Sequence, residues 1–77
     1  MIAYLKGKLA HKDRAHVIID VNGVGYLINV TANTATKHSI GNEISLFTAM
    51  IVREDAMTLF GFNSALEQEL FDLLRLS

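Results

Sequence analysis

A chain of 77 residues with 51% hydrophobic and 19% charged side chains is globular rather than disordered, and a domain of that size buries only about 60% of the surface its unfolded form exposes. Seven basic against eight acidic residues give a formal net charge of −1, which excludes the overall positive field that drives sequence-independent nucleic-acid binding. The lack of cysteine excludes disulfide staples and thiolate metal sites, and no apolar run approaches the roughly 20 residues that span a bilayer, so a soluble cytoplasmic protein is expected.

Residues 2–10, IAYLKGKLA, alternate between an apolar side (Ala3, Leu5, Gly7, Leu9) and a mixed side (Ile2, Tyr4, Lys6, Lys8), the pattern of a strand with one wet face. HKDRA, residues 11–15, is a polar turn. In IIDVNGVGYLINV, Asn22-Gly23 stands between β-branched runs and tolerates the positive φ of a tight hairpin, which predicts paired strands over 16–21 and 24–31. TANTATKHSIGN, residues 31–42, has no sustained apolar period and predicts a loop with at most one helical turn.

EISLFTAMIVR sets Ile44, Leu46, Thr48, Met50 and Val52 against Ser45, Phe47, Ala49, Ile51 and Arg53, and both sets are largely apolar. That suits a long strand buried on both sides or bent across a barrel. After Glu54-Asp55, AMTLFGF predicts a fifth strand in which Gly61 permits a bend or a close backbone approach. Ser64 to Glu67 then reads S-x-x-E, the spacing of a helix capping box, and Leu66, Leu70, Leu73 and Leu74 recur at helical spacing with Phe71 beside them. The chain stops at LLRLS with neither a glycine cap nor a proline stop, so the native polypeptide is expected to continue.

These elements predict a mainly β fold: a small five- to six-stranded antiparallel Greek-key barrel of the oligonucleotide-binding (OB) type over residues 1–63. One carboxy-terminal helix, 64–77, packs on the barrel or leads out of it within the same domain. An SH3-like barrel is the rival, and periodicity does not separate the two.

Glu54 and Asp55 are the most pointed candidates. Adjacent residues on a strand face opposite ways, so they do not form a convergent acid and nucleophile pair. Spacing leaves a solvated hairpin tip, with Arg53 as a weak surface partner, or a deliberate presentation of charge. His11, His16 and His38 show no ligand spacing, and no metal is assigned. Lys6, Lys8, Lys12 and Arg14 cluster along the first strand and its turn, either as phosphate contacts or as a solvated face. Among Tyr4, Tyr26, Phe47, Phe60, Phe62 and Phe71, exposed members on one sheet face would indicate a base-stacking platform and an autonomous single-strand-binding barrel; in so small a domain most are expected in the core. Gly23 to Gly25 lead into a strand rather than a helix and so make no phosphate loop, and nothing in the sequence points to an enzyme acting alone.

Four segments together resemble the RuvA family of Holliday junction branch-migration proteins: MIAYLKGKL at the start, VNGVGYLINV, VREDAMTLFGF and EQELFDLLRLS. The resemblance spans essentially the whole chain, and its V-R-E-D-A-x-x-L-x-G-F element is specific. It implies the amino-terminal OB-fold domain of a longer protein in which helix-hairpin-helix motifs and a flexible domain that contacts a RuvB-type ATPase motor follow. It further implies that Glu54 and Asp55 form an acidic pin, which a homotetramer places at the centre of four-way junction DNA. Lys6, Lys8 and Arg53 are then candidate phosphate contacts. The implied role is noncatalytic, in recombination and DNA repair, with partners including a RuvC-type resolvase and with no cofactor.

Overall fold

The computed structural model describes the backbone of residues 3–76 and the side chains of residues 3–75. Five strands, β1 (Tyr4–Lys12), β2 (His16–Val21), β3 (Val24–Asn29), β4 (Glu43–Arg53) and β5 (Ala56–Phe62), close into a barrel in the order β1-β2-β3-β5-β4. A short helix α1 (Ala32–Thr36) joins β3 to β4, and α2 (Ala65–Leu76) follows β5. The exchange of β4 and β5 in the order makes this a Greek key of the OB type. The closure is not wholly antiparallel. β3 and β5 pair in parallel over Ile28↔Leu59 and Asn29↔Phe60, and the Asn29 side-chain amide reinforces this short seam by donating to the Leu59 carbonyl at 3.1 Å.

Alternation places one face of every strand in the lumen. Leu5 and Leu9 of β1, Val17 and Ile19 of β2, Ile28 of β3, Ile44 and Leu46 of β4 and Leu59 of β5 are buried together there. The hairpin from β2 to β3 turns on Asn22 and Gly23, whose φ values of 53° and 89° are those of the tight turn expected, and Asp20 Oδ1 accepts from the Gly23 N–H at 2.7 Å. Ile2 of the expected first strand lies outside the described residues.

The loop of residues 31–42 does contain one helical turn. Thr31 caps α1 by accepting from the Thr34 N–H at 3.1 Å, and Thr34 and Ala35 are buried. On the outer side of the barrel α2 lies against β4 and β5, where Phe71 meets Phe60 and Phe62 at ring-centroid distances of 5.1 Å each. Ala49 is buried on this outer side while Thr48 is buried on the inner one, so β4 is covered on both faces here as its pattern suggests. The Gln68 side chain ties helix to barrel by donating to the carbonyls of Thr48 at 2.5 Å and Ala3 at 3.2 Å.

The α2 leucines lie largely outside the contact with the barrel. Leu66, Leu70, Leu73 and Leu74 are each more than half exposed, and the helix instead turns Phe71 and Gln68 inward. A single leucine stripe on a short terminal helix carries the same period whether it faces the barrel or away from it, so spacing does not reveal which. The cap also shifts by one position: Ser64 Oγ accepts from the Glu67 N–H at 3.3 Å, but the Glu67 carboxylate accepts from Asn63 rather than from Ser64.

Gly61 packs where it was expected to permit close approach. It sits in the lumen opposite Thr48, and a Cβ there would stand 2.8 Å from Ile28 Cγ2 and 2.9 Å from Leu46 Cδ1. Both neighbours are core side chains with little room to give, so Gly61→Ala should destabilise the fold by about 1–3 kcal/mol, the ordinary cost of overpacking. A chemical-denaturation midpoint unchanged from wild type would contradict this packing.

Candidate nucleic-acid interface

Glu54 and Asp55 form the two-residue turn between β4 and β5, closed by the Arg53↔Ala56 pair. Among the described residues Asn22 is the only non-glycine with positive φ, so this turn keeps negative φ at both positions. Such a turn needs neither glycine nor asparagine, which leaves its two side chains free to be chosen for chemistry.

The turn is also the tip of a projection. β1 pairs with β4 no further than Phe47, and β3 meets β5 only at Leu59 and Phe60, so beyond these points the two arms have only each other as sheet neighbours. From Met50, the last β4 residue whose β5 partner also meets β3, to Arg53 a strand advances about 10 Å at about 3.3 Å per residue. The molecule is 37 Å long and only 19 Å across its thinnest dimension. Arg53, Glu54 and Asp55 are all exposed at its end, and among the described residues none of their side chains makes an ion pair or hydrogen bond. Arg53 is therefore not the surface partner of the carboxylates within its own chain.

The basic candidates do not form one patch. Lys6 and Lys8 point outward from β1, and Lys6 Nζ lies 3.6 Å from Glu43 Oε1, which offsets part of its charge, while Lys8 stands opposite Glu43 in the ladder. Lys6 pairs with Ser45, eight residues before Arg53 on β4, a separation of about 26 Å along a straight strand. Arg14 is exposed in the β1–β2 turn.

Lys12 has a structural task that alternation did not reveal. The register slips between Leu9↔Ile19 and His11↔Ile18, so Ala10 is an extra residue, and Lys12 comes to pair with the fully buried Val17. Its side chain thereby joins the inward side, where the ammonium donates to the carbonyls of Ala35 at 3.1 Å and His38 at 2.6 Å, at the end of α1. A count of alternating positions places Lys12 with Lys6 and Lys8; only the bulge separates them.

Of the six aromatic residues only Tyr4 is exposed, and its ring meets Phe47 edge-on at 5.5 Å. Tyr26 packs against the core, and Phe60, Phe62 and Phe71 lie between helix and barrel. The outer face of β2 and β3 thus lacks the stacking platform that a single-strand-binding barrel would display. The histidines are apart as well. His16 contacts Asp13 at 3.1 Å, His38 contacts the Asn63 side-chain oxygen at 3.2 Å, and among the described residues no three potential ligands come together as a metal site. Nor is any described helix long and apolar enough to cross a membrane.

Residues 1–61 match the family model of the RuvA N terminal domain. The chain belongs to the RuvA family. Proteins named as the RuvA subunit of the Holliday junction branch migration complex are 47% identical over 74 residues in Arthrobacter sp. (strain FB24) and 45% identical over 75 residues in Chloroherpeton thalassium, each covering 96% of this chain. That of Pseudomonas aeruginosa (strain LESB58) is 47% identical over 79 residues and covers the whole chain. The chain spans only 35–39% of the length of these relatives. The matched RuvA segment ends within β5, so it contains the barrel and the whole projecting tip, whereas α2 falls beyond it.

Two measurements separate structural from surface charge in this RuvA domain. Lys12→Met, which leaves the α1 carbonyls without their donor, should cost about 1–3 kcal/mol, while Lys8→Met should stay within about 0.5 kcal/mol. Equal unfolding midpoints for the two variants would remove the clamp. Asp13 supplies a pH test: its carboxylate accepts from the backbone N–H groups of Ala15 and His16 and from the His16 ring, and the Ala15 bond first of all holds its pKa below the ordinary 3.8. The unfolded chain takes up that proton more readily, so the contribution is complete above the ordinary value and vanishes as pH falls through the folded one. Asp13→Asn should therefore lower stability at neutral pH and lose its effect in acid, as read by melting temperature between pH 7 and pH 2.

Proposed function

We propose that this domain is a noncatalytic, DNA-binding part of a Holliday junction scaffold that holds four-way junction DNA open in recombination and repair while a separate ATPase drives branch migration. The observation that carries this reading is the Glu54-Asp55 tip, two unpaired carboxylates at the end of a projecting hairpin in a chain of the RuvA family. Relatives are named as subunits of a branch migration complex, which supports junction DNA and a motor as partners.

Four copies about a fourfold axis bring four such tips to the centre where the arms of the junction meet. Carboxylate and phosphate repel there, most strongly where water is scarce. Duplex is thereby kept from lying across the centre, and strands are parted toward neighbouring arms. The pin is thus a repulsive element, a device of specificity rather than of affinity.

Affinity needs cations elsewhere, in keeping with a net charge of −1. Lys8 is the first candidate for a phosphate contact and Lys6, already shared with Glu43, the second. Arg53 acts at the pin, far along β4 from both. Residues 1–63 and α2 act as one domain, ATP hydrolysis belongs to a RuvB-type motor and strand cleavage to a RuvC-type resolvase, each engaged through the full-length protein in the bacterial cytoplasm. This domain supplies no catalytic residue, metal or cofactor to either.

Replacing Glu54 with Gln and Asp55 with Asn tests the pin. As exposed turn residues they should change stability by no more than about 0.5 kcal/mol each. Binding to linear duplex should tighten more than binding to the junction, and motor-driven migration should change in rate. If duplex affinity, junction affinity and migration all match wild type at the same salt, the tip is only a solvated turn.

A further inference from the structure

The joint between β5 and α2 consists of Asn63 and Ser64, and three parts of the chain meet at the first of them. The Asn63 side-chain amide donates to Thr34 Oγ1 of α1 at 3.1 Å, while its oxygen lies 3.2 Å from His38 Nε2, in the segment between α1 and β4. An amide oxygen only accepts, so the His38 ring donates from Nε2. The backbone N–H of Asn63 donates in turn to the Glu67 carboxylate in the first turn of α2.

What Asn63 grips is itself held. Thr34 is buried, and its hydroxyl oxygen also accepts from Thr31, the cap of α1. The His38 carbonyl is one of the two acceptors of Lys12. A polar chain thus runs from the bulged end of β1 through Lys12, the α1 segment and Asn63 to the first turn of α2. The helix needs such a hold. Its four leucines are mostly exposed, and its contacts through Gln68 and Phe71 lie within a single turn. One patch of that length fixes where a helix touches but not the direction in which it points; a second attachment, on a different element, fixes the direction. An amide suits that task because it sets a donor and an acceptor side by side, where a carboxylate lacks the donor.

Resting on the scaffold reading above, we propose that Asn63 is a positioning residue that fixes the direction of α2 relative to the Glu54-Asp55 stalk. The stalk takes its direction from β4 and the helix takes its own from this joint, so the barrel turns two local attachments into one fixed angle. In chains as long as the relatives, whatever follows α2 takes its orientation to the tip from Asn63. A DNA contact made from beyond α2 therefore reaches the pin in a fixed register only while this joint holds.

Spin labels read the angle as a distance, and these 77 residues contain no cysteine to compete with introduced ones. In the protein expressed from its own gene, with any cysteine beyond residue 77 replaced, the exposed Met57 and Asp72 are changed to Cys and labelled, and labelled chains are diluted into unlabelled ones. With Asn63 in place the distance distribution should be single and narrow, and Asn63→Ala should broaden or shift it. Thr34→Val, which removes the acceptor, should do the same, whereas Thr34→Ser, which keeps it, should not. Ile19→Val, which loosens the core without touching the joint, should leave the distribution narrow. The preference of the Asn63→Ala protein for junction over linear duplex should fall at least about fivefold.

A wild-type distribution in both Asn63→Ala and Thr34→Val overturns the proposal, and so does equal broadening in Ile19→Val, which would make the effect one of stability. If Asn63→Ala loses its cooperative melt, Thr34→Val against Thr34→Ser decides alone. Broadening with an unchanged junction preference overturns the positioning role. A wild type with a narrow distribution but no junction preference removes the scaffold reading and leaves the joint standing, so the two failures are distinct.

Discussion

The continuity of one hydrogen-bonded ladder governs this molecule. β4 runs unbroken for eleven residues, pairing with β1 over its first half and with β5 over its second. Barrel wall and stalk are thus the same strand, and the tip inherits its direction from the core. A stalk hinged on a loop would place its carboxylates over a wide volume. One that continues a closed barrel places them along a fixed axis, because bending it means breaking backbone hydrogen bonds or opening the lumen. Gly61 belongs to this constraint, since it lets β5 lie close over Ile28 and Leu46 at the point where barrel becomes stalk.

The opposite end of the barrel is held by a different device. The bulge at Ala10 shifts the register of β1 against β2, and on the other edge of β1 the backbone of Leu9 bonds to the loop before β4, donating to the Asn42 carbonyl at 2.9 Å and accepting from the Gly41 N–H at 2.8 Å. Gly41 reaches that position at φ 94°, a conformation that side chains rarely allow. The same slip brings Lys12 inward to the carbonyls at the end of α1. The extra residue therefore takes a cation from the outer face, while Gly41 and Asn42 extend the β4 side of β1.

How much of this was legible follows from the range of each signal. The Asn22-Gly23 hairpin, the extent of β4 and the Glu54-Asp55 turn rest on local chemistry and alternation, and they appear in the sequence where the structure has them. Lys12 was misplaced because alternation carries no mark of a bulge, so every residue beyond Ala10 changes side without warning. The α2 leucines were legible as a stripe, while the face by which the helix docks was not, since that is decided by Phe71 docking between Phe60 and Phe62 and by Gln68 bonding to β4. For the tip, sequence spacing left two meanings open. The projection of the stalk and the lack of any ionic partner among the described residues are facts of three dimensions.

Near-neutral charge, at first an argument against DNA, becomes intelligible once charge is considered by place rather than by sum. Lys6 and Glu43 meet on the barrel wall and Asp13 holds the β1–β2 turn, so much of the acid and base inventory is committed locally. Three charges without an ionic partner among the described residues, Arg53, Glu54 and Asp55, stand together at the end of the stalk, where a charge acts on whatever approaches rather than on its own fold. An isolated acidic turn would be screened within about 8 Å at physiological salt. Several tips brought together on one axis, as proposed above, would displace the screening water and ions between them, so that their joint field would reach an approaching phosphate that a single tip would scarcely affect. In the fourfold arrangement proposed above, the same crowding would raise the cost of assembling carboxylates alone, and Arg53, exposed beside them without an ionic partner among the described residues, would offset part of that cost.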